Sequence, residues 1–531
     1  MQPFATLLTI DKAGQQPVYL QIAGRLTSLI IDGTLKPGYR LSSTRQLAEL
    51  LSVHRKTVVR AYDELLAQGW LESQTGSGTY VARHLPENKP QRLGAGAAGE
   101  RADRVRAAGP QADGSRAAGA QADAAGWRAD GVRAAGPLPA GPAQIAGFAF
   151  EAAPHLDRED VYYPFTYHLD DGFPDARLAP LNDLARAYRA QLLTGRPYNR
   201  LGYGDPRGAS LLREVLSPYL NETRGLKTTA ENLLIVRGTM MGLYLISMGL
   251  IRPGDLVVTG ETTYSGAVTN LTHAGARLVR IGVDEHGMQV DELDRLCSRH
   301  PVRLVYITSH HHYPTTVALR PDRRLQLLRL SEKYGFIILE DDYDYDFHYL
   351  NKPHLPLAAA DQAGMVLYCG SFTKAISPGI RVGYLAGSEN VIRHLGKLRR
   401  FIDRQGDTLL ENAMAALLQN GIVQRHLRKT LRVYRERRNA FCGLLQSEMG
   451  NYVNFQVPEG GMAVWTRFDT GIDLAGLAAR AIKKDLYFSN GQIHNLPEKN
   501  WNATRLGFAS ASIPELEKSV EILLKLLKEP G

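Results

Sequence analysis

A lysine near residue 370 stands in a setting that favours covalent chemistry. The run Val366–Cys369 has the apolar character of a buried strand, and Ser371-Phe372-Thr373-Lys374 follows it directly. A lysine amine can form a Schiff base with an aldehyde. The hydroxyls of Ser371 and Thr373, with the guanidinium of Arg381 further along, are groups that hold a phosphate. A surface lysine in a loop is the plain alternative, and other residues must decide between the two.

A second strand-like run ends in three acidic residues. Ile337-Ile338-Leu339 is typical of a buried strand, and Glu340-Asp341-Asp342-Tyr343 follows it. A protein core excludes carboxylates unless they are paired or used. A carboxylate at this position can keep a pyridine nitrogen protonated, so that the ring acts as an electron sink. The hydroxyl of Tyr343 can hydrogen-bond an oxygen on the same ring.

Two further strand ends supply groups that suit a phosphorylated ring. Arg237-Gly238-Thr239-Met240-Met241 places a glycine turn between a strand and a helix. The free amides at the start of such a helix cradle phosphate. Tyr264 also follows a strand and can stack on the ring, although an aromatic residue there can equally pack in the core.

Alternating strands and helices are expected to position these groups. From Phe148 onward, strand-like runs alternate with amphipathic helical stretches, which predicts a doubly wound α/β domain with a mainly parallel, seven-stranded sheet. Beyond about residue 405, longer helices and two later strand-like runs predict a smaller C-terminal α+β domain. The strands expected for the sheet are 233–237, 256–259, 278–283, 304–308, 336–339, 366–369 and 381–386, and the later pair is 463–468 and 505–509.

Low-complexity sequence separates this part of the chain from its beginning. Between residues 84 and 147, Ala-Ala-Gly recurs among Gln-Ala-Asp and Arg-Ala-Asp, with few large apolar residues. Such a composition cannot build a core. We therefore predict an N-terminal domain over 1–83, a flexible linker over 84–147 and a main domain over 148–531.

The first 83 residues predict a winged helix-turn-helix. Leu47, Leu50 and Leu51 form an apolar stripe on a helix that Ser43 or Thr44 can cap. A second helix follows over about 54–68, and a turn at 74–78 joins two short strands. The start of the second helix of such a unit enters the DNA major groove. The predicted DNA-binding residues are Ser43, Thr44, Arg45, His54, Arg55, Lys56, Thr57, Arg60, Gly76 and Gly78. A small helical docking domain with a basic face is the alternative.

The same segment resembles a known regulator family. The runs 19–22, 31–38, 41–48, 53–58 and 76–81 are similar to the winged helix-turn-helix of GntR-type regulators. The resemblance implies DNA contacts from Arg45, Arg55, Thr57 and the wing around Gly76 and Gly78. His54 stands where this family often has a small hydroxyl residue.

The larger domain resembles the fold type I enzymes that use pyridoxal 5'-phosphate (PLP). The order of motifs carries the resemblance: 203–206, 238–239, 264, 311–314, 341–343, 371–374, 381 and 505–507. It implies that Lys374 is the catalytic Schiff-base lysine, that Asp341 faces the pyridine nitrogen and Tyr343 the ring oxygen, and that Tyr264 stacks on the ring. The implied cofactor-binding residues are Tyr203, Gly238, Thr239, Met240, Tyr264, Asp341, Tyr343, Ser371, Thr373 and Arg381.

The resemblance also implies a substrate group and a partner subunit. Arg505 would hold the α-carboxylate of a substrate or effector by a bidentate pair, with a strand-end salt bridge as the alternative. Such domains usually place the cofactor at the interface of a homodimer, where Tyr203 would come from the partner subunit.

Two departures from the aminotransferase pattern disfavour efficient transamination. Met240-Met241 stands where glutamines often follow Gly-Thr, and the residues before Pro314 are histidines where Asn is common. His310, His311 and His312 lack the i, i+4 spacing of a helical metal site, so no metal is expected.

Together, the two resemblances identify the chain as a member of the MocR/GabR family of regulators. This implies a PLP-dependent, DNA-binding transcriptional regulator whose aminotransferase-like domain senses an amino compound or PLP itself. An active PLP-dependent aminotransferase that carries a DNA-binding domain, and a DNA-binding scaffold with an idle cofactor site, are the alternatives.

Composition agrees with a packed protein that binds nucleic acid. The 531 residues carry 63 Lys+Arg against 54 Asp+Glu, and the net charge of +9 is compatible with double-stranded DNA as a partner. Apolar residues at 44% and charged residues at 22% are ordinary for a globular chain. The sequence has neither an apolar run of membrane-spanning length nor the layout of a secretory signal at its start. We therefore expect a cytoplasmic protein with no membrane partner.

Overall fold

Two units make up the computed structural model of the chain, residues 1–141 and 142–531. The structure describes residues 8–11, 17–67, 69–74, 78–83, 148, 153–156, 165–193, 201–349 and 354–529. The predicted linker, residues 84–147, lies outside these ranges. Among the helices in these ranges, none is long and apolar enough to cross a membrane.

The first unit has the predicted winged helix-turn-helix fold. Apolar side chains from its three helices, among them Ile22, Leu47 and Val58, pack into one buried cluster. The two wing strands pair in antiparallel fashion. The elements are α1 (Val18–Ile31), α2 (Thr44–Leu50), α3 (Arg55–Ala67), β1 (Leu71–Gln74) and β2 (Gly78–Val81).

Side-chain caps fix the start of both helices of the helix-turn-helix. The Oγ of Ser43 accepts from the amide of Gln46 at 3.3 Å, and the Gln46 side chain accepts from the amide of Ser43 at 3.1 Å. Thr44, the other predicted cap, is the first residue of α2. At α3, the Nδ1 of His54 accepts from the amide of Lys56 at 3.2 Å. His54 therefore serves α3 as Ser43 serves α2, by satisfying an amide that the helix leaves without an internal acceptor.

The second unit alternates strands and helices over most of its length, as predicted. Its elements are β3 (Tyr167–Leu169), α4 (Leu181–Leu193), α5 (Ser210–Arg224), β4 (Leu233–Val236), α6 (Gly238–Leu250), β5 (Leu256–Gly260), α7 (Ser265–His273), β6 (Arg277–Ile281), β7 (Val283–Asp284), β8 (Gly287–Met288), α8 (Val290–Cys297), β9 (Val302–Ile307), α9 (Pro321–Tyr334), β10 (Ile337–Asp342), α10 (Leu357–Ala360), β11 (Val366–Ser371), β12 (Gly383–Ala386), α11 (Glu389–Ile402), α12 (Thr408–Gln419), α13 (Ile422–Met449), β13 (Val453–Phe455), β14 (Ala463–Phe468), α14 (Leu474–Ile482), β15 (Leu486–Phe488), β16 (Ala503–Gly507) and α15 (Ile513–Lys528).

A seven-stranded sheet with the order β4-β12-β11-β10-β9-β5-β6 forms the centre of this unit. Strand β12 runs antiparallel to both of its neighbours, and the other neighbouring pairs are parallel. This confirms the mainly parallel, seven-stranded sheet. The carboxyl ends of β9, β10 and β11 therefore lie at one edge of the sheet, where ligands of open α/β sheets bind.

Both faces of the sheet are covered by helices. Leu304 and Tyr306 of β9 belong to a buried cluster with α6, α7 and α11, whereas Val305 and Ile307 belong to a cluster with α8 and α9. This alternation follows from the two-residue period of a strand. Because both faces are packed, the strand ends are held in fixed positions.

The C-terminal part forms the smaller α+β domain, with an antiparallel sheet of order β13-β14-β16. Strand β3, far earlier in the chain, pairs in parallel with β15 of this part. The residues that follow β3 are thereby brought beside β16.

We expect that His54→Ala loosens the first turn of α3. Loss of a helix cap costs about 1 kcal/mol, so amide hydrogen exchange there should accelerate about fivefold in the intact protein. His54→Ser supplies a hydroxyl acceptor and should exchange at nearly the wild-type rate. Equal exchange in the wild type and His54→Ala would contradict the capping role.

Candidate functional site

A cavity of about 280 Å³ lies at the carboxyl edge of the large sheet. Most of the predicted cofactor residues line it, although strands and loops far apart in the sequence supply them. The predicted lining residues are Thr239, Met240, Tyr264, Asp341, Tyr343, Thr373, Lys374, Arg381 and Arg505, and the others are Asp171, Phe173, Tyr306, Thr308, Tyr313 and Pro378.

Lys374 lies just beyond the end of β11, and its amine reaches into the cavity. The Nζ donates to the carbonyl of Gly172 at 2.7 Å and lies 4.4 Å from the centre of the Phe173 ring. Burial lowers the pKa of Lys374, against the opposing charges of Asp171 and Asp170. A lowered pKa increases the fraction of neutral amine, which is the nucleophilic form.

Asp341 is buried at the end of β10 with one carboxylate oxygen available. Its Oδ2 accepts from the hydroxyl of Tyr306 at 2.9 Å, whereas its Oδ1 has no hydrogen-bond partner among the described residues. Burial raises the pKa of Asp341 to about 7. A buried oxygen without a partner is costly, and a protonated ring nitrogen in the cavity would satisfy it.

The other two acids of this strand are used within the protein. Glu340 accepts from the amides of Leu357 and Ala358 at 2.8 and 3.0 Å, at the start of α10. Asp342 accepts from the hydroxyl of Tyr368 at 2.7 Å and lies 3.3 Å from Nδ1 of His310. These contacts allow β10 to continue to Asp342, whereas the sequence predicted that it ends at residue 339. Of the three acids, Asp341 alone lines the cavity.

One end of the cavity brings together groups of the kind that bind phosphate. Helix α6 begins at Gly238, where φ is +74° and a Cβ atom would lie 2.6 Å from Nη2 of Arg381. That guanidinium donates to the carbonyl of Arg237 at 2.8 Å. The hydroxyls of Ser371 and Thr373, at the end of β11, lie 2.8 Å apart. Helix amides, a guanidinium and hydroxyls are together the donors that phosphate needs.

Two tyrosines contribute to the walls. The hydroxyl of Tyr264 donates to Sδ of Met240 at 3.4 Å, and its ring meets the Tyr313 ring edge-on at 5.4 Å between centres. The hydroxyl of Tyr343 donates to the carbonyl of His311 at 3.1 Å. Burial raises the pKa of Tyr343 well above its ordinary value, so the hydroxyl stays protonated and can donate.

Arg505 lies on β16 and is 2% exposed. Its Nη1 donates to the carbonyl of Pro314 at 3.1 Å, and its Nε lies 2.6 Å from Oδ1 of Asp171. The other oxygen of Asp171 accepts from the hydroxyl of Tyr313 at 3.0 Å. The guanidinium thus reaches the cavity, as the resemblance implied, but it is already paired with a carboxylate of the same chain.

Three predicted residues do not line the cavity within this chain. Gly238 and Ser371 adjoin it through Arg381 and Thr373. Tyr203 is 77% exposed, and the guanidinium carbon of Arg404 lies 4.1 Å from the centre of its ring.

The histidine run is buried and individually paired. His311 Nδ1 lies 2.8 Å from Asp344, and His312 Nδ1 lies 2.8 Å from the hydroxyl of Thr315. Over the parts of the chain that the structure describes, no group of three or more His, Cys, Asp or Glu residues could hold a metal ion.

The first unit presents a basic surface at the start of α3. Arg45, Arg55, Lys56 and Arg60 are exposed, and Thr57 is half-buried. The guanidinium carbon of Arg60 lies 4.1 Å above the Tyr19 ring, so its charge is held at the surface. Exposed cations at this end of the helix suit phosphates and base edges.

Arg40 adds a cation at the wing that the sequence did not single out. A Cβ atom on Gly78 would lie 3.2 Å from Nε of Arg40, and φ of Gly78 is +128°. Gly76, the other predicted wing residue, lies outside the described residues. The bridge that pairs Arg40 with Tyr80 places it there, and no sequence motif marks it.

Six residues of the cavity were not among the predicted site residues, and two of them, Tyr306 and Asp171, make contacts that matter to the site. Tyr306 lies inside a predicted strand, and the sequence does not indicate that its hydroxyl donates to Asp341. Asp171 follows β3, and it reaches Arg505 because β3 joins the C-terminal part. An Asp-Asp-Gly turn signal at 170–172 was the only hint of an unusual segment.

The fold and the site define a DNA-binding regulator that carries an aminotransferase-like domain. Residues 173–523 match the family model "Aminotransferase class I and II", and residues 18–81 match "Bacterial regulatory proteins, gntR family". The chain belongs to the class I and II aminotransferase family, and with its GntR domain it is a regulator of the MocR type.

The chain is similar to two regulators over most of its length and to an aminotransferase over part of it. The chain is 27% identical to the probable rhizopine catabolism regulatory protein MocR of Rhizobium meliloti, over 88% of this chain and 85% of that one. It is 28% identical to the transcriptional regulator TauR of Rhodobacter capsulatus, over 94% and 95%. The kynurenine aminotransferase of Pyrococcus horikoshii, solved in complex with PMP, superimposes with a TM-score of 0.65 at 25% identity, over 71% of this chain and 97% of that one.

We expect Asp341→Asn to raise the midpoint of thermal unfolding of the cofactor-free protein, by more at pH 8 than at pH 5. Burial raises the pKa of Asp341 from 3.8 to about 7. The wild-type carboxyl therefore lowers the free energy of unfolding as pH rises from about 4 to 7, whereas the uncharged Asn side chain does not.

Asp342→Asn on the same strand is the matched control. Burial opposes ionisation there as well, but His310 and Tyr368 outweigh it and hold the pKa of Asp342 at about 2. This variant should lower the midpoint at pH 8. A lower midpoint for Asp341→Asn at both pH values would contradict the assignment of a costly, partnerless oxygen.

Proposed function

We propose that this protein is a cytoplasmic, PLP-dependent transcriptional regulator that senses an amino compound in its aminotransferase-like domain and acts as a homodimer. One observation carries the proposal: the amine of Lys374 and the partnerless oxygen of Asp341 line one cavity, in a chain that also presents an exposed basic helix start. We propose domains over 1–83, 84–147 and 148–531, with a small subdomain from about 405.

The residues of the cavity suit PLP. Lys374 would hold its aldehyde carbon, Asp341 its ring nitrogen and Tyr343 its ring oxygen, while Tyr264 would stack on the ring. The start of α6, Ser371, Thr373 and Arg381 would hold the phosphate. When bound, PLP supplies an electrophilic carbon that reacts with primary amines.

An amino compound is the effector class that this chemistry favours. A ligand acts as an effector only if it binds two conformations of the protein unequally. Lys374 follows the large sheet, whereas Phe173 follows β3, which pairs with β15 of the small C-terminal part, so a ligand that contacts both would favour a closed arrangement. Free PLP as the sensed ligand is the alternative.

The exposure of Tyr203 supports the proposed homodimer. An aromatic ring that is 77% exposed and stacked with Arg404 is available to a second copy of the chain. In this proposal, it completes the cofactor site of the partner subunit.

Catalytic transamination is the second candidate, because Lys374, Asp341 and Arg505 line one cavity. Turnover with an amino donor and a keto acid distinguishes the two. Sustained turnover would favour the enzyme, whereas binding without turnover would favour the sensor.

The proposal is tested by an absorbance screen of amino compounds against the PLP-loaded protein. Compounds that shift the spectrum are then tested for their effect on affinity for DNA selected from a random-sequence pool. A compound that does both supports the sensor. If PLP alone changes DNA affinity and no amino compound shifts the spectrum, the effector is the cofactor.

Lys374→Ala and Lys374→Arg should both lose the visible absorbance of the lysine-bound cofactor, because the imine requires a primary amine on the side chain. Lys333→Ala is the control, since Lys333 is exposed on α9 and pairs with Asp294. Unchanged absorbance in the Lys374 variants would refute the Schiff-base assignment.

Arg55→Ala and Lys56→Ala should weaken DNA binding and flatten its salt dependence. Removing one cation that neutralises a phosphate lowers the slope of log affinity against log salt by about 0.9. Arg25→Ala serves as control, because Arg25 lies on α1 outside the predicted DNA-binding set. If the slopes of all three variants equal that of the wild type, α3 does not contact phosphates.

A further inference from the structure

Asp171 of the same chain forms an ion pair with Arg505, the arginine that lines the cavity. The Oδ1 of Asp171 lies 2.6 Å from Nε of Arg505, and its Oδ2 accepts from Tyr313 at 3.0 Å. The Arg505 side chain is 3% exposed and that of Asp171 is 38% exposed. Asp171 therefore pairs with the buried Arg505 from a more exposed position in the same cavity.

Gly172, the next residue, contacts the amine of Lys374. The carbonyl of Gly172 accepts from Nζ of Lys374 at 2.7 Å. An α-amino acid presents an amine and a carboxylate on the same carbon, and the groups that would bind them are Lys374 and Arg505. Neighbouring residues of one segment, Asp171 and Gly172, thus contact both groups.

This segment is held in place from behind. Asp170 accepts from the amide of Phe173 at 2.7 Å and from the hydroxyl of Ser510 at 2.6 Å. Its carbonyl accepts from the amide of Gly507, which ends β16, at 2.7 Å. Asp171 is therefore anchored beside Arg505 and is not a side chain on a free loop.

An anchored carboxylate competes strongly with one in solution. A group tethered at its binding site acts at an effective concentration of about millimolar or more, so a free carboxylate must exceed that to displace it. A primary amine without a carboxylate needs no such displacement. Its hydrocarbon part would meet Phe173, Met240 and Tyr264, which line the same cavity.

We propose that Asp171 determines specificity by excluding α-amino carboxylates from Arg505, so that the ligands of this cavity are primary amines that carry no carboxylate beside the amine. This inference rests on the proposed amino-compound site and narrows its ligand class.

The test is calorimetric titration of the PLP-loaded protein with matched pairs: alanine and ethylamine, leucine and 3-methylbutylamine, phenylalanine and 2-phenylethylamine. In the wild type, each amine should bind at least as tightly as its amino acid. In Asp171→Asn, affinity for the amino acids should rise about tenfold or more, because the tethered competitor is removed, while affinity for the amines should change little. Asp171→Ser is the second variant, should the amide perturb folding.

Asp183→Asn is the control, because Asp183 is also 38% exposed and lies on α4. It should leave every affinity unchanged. The inference would be overturned if amino acids bind the wild type more tightly than their amines, or if neither Asp171 variant changes the ratio of amine affinity to amino-acid affinity. A failure of every compound to bind would also overturn it. If amines are preferred but no ligand alters DNA affinity, the sensor function fails and the role of Asp171 stands.

Discussion

The site depends on a buried carboxylate oxygen that has no hydrogen-bond partner among the residues the structure describes. Asp341 lines a cavity at the end of a fully packed sheet, and burial of its carboxylate raises its pKa to about 7. The protein keeps the oxygen available because Tyr306 occupies only Oδ2 and because β10 is fixed between β9 and β11. Lys374 follows β11, so the same pairing that holds Asp341 also places the amine.

The arrangement separates cofactor chemistry from ligand choice. Asp341 lies on β10 of the large sheet, Lys374 follows β11 and α6 follows β4, whereas Arg505 lies on β16 of the C-terminal sheet. The segment after β3 connects the two, since β3 pairs with β15 and the residues that follow it include Asp171. Variation in this segment could therefore change which amino compound binds without altering the groups that suit the cofactor.

Much of the fold could be predicted from the sequence. The alternation of apolar runs located all seven strands of the sheet, because buried parallel strands require continuous apolar residues. Ser43 as a cap and the helix-turn-helix were equally visible, since their contacts are local in the chain. Residue type and position at a strand end pointed to Lys374 and Asp341, and the family resemblance pointed to Arg505; all three line one cavity.

Contacts between distant segments could not be read in this way. The pairing of Asp171 with Arg505 depends on how β3 docks, and the capping role of His54 depends on a ring nitrogen that no helix-start motif includes. The apolar run predicted for β10 ends at residue 339, whereas the strand continues through Glu340 and Asp342, which are contacted by the start of α10 and by Tyr368 and His310. Burial of a polar residue is decided by its partners, which the local sequence does not contain.

The proposed sensor function requires that the cavity and the DNA-binding unit be energetically coupled. Its most direct test is a linkage measurement in which the affinity of the PLP-loaded protein for DNA is determined with and without saturating amine, and its affinity for the amine with and without saturating DNA. Coupling requires that the amine change the affinity for DNA by the same factor as DNA changes the affinity for the amine, and a factor of about 5 to 150 is typical of regulated binding. We predict equal factors in that range. A DNA affinity that is the same with and without the bound amine would contradict the sensor function.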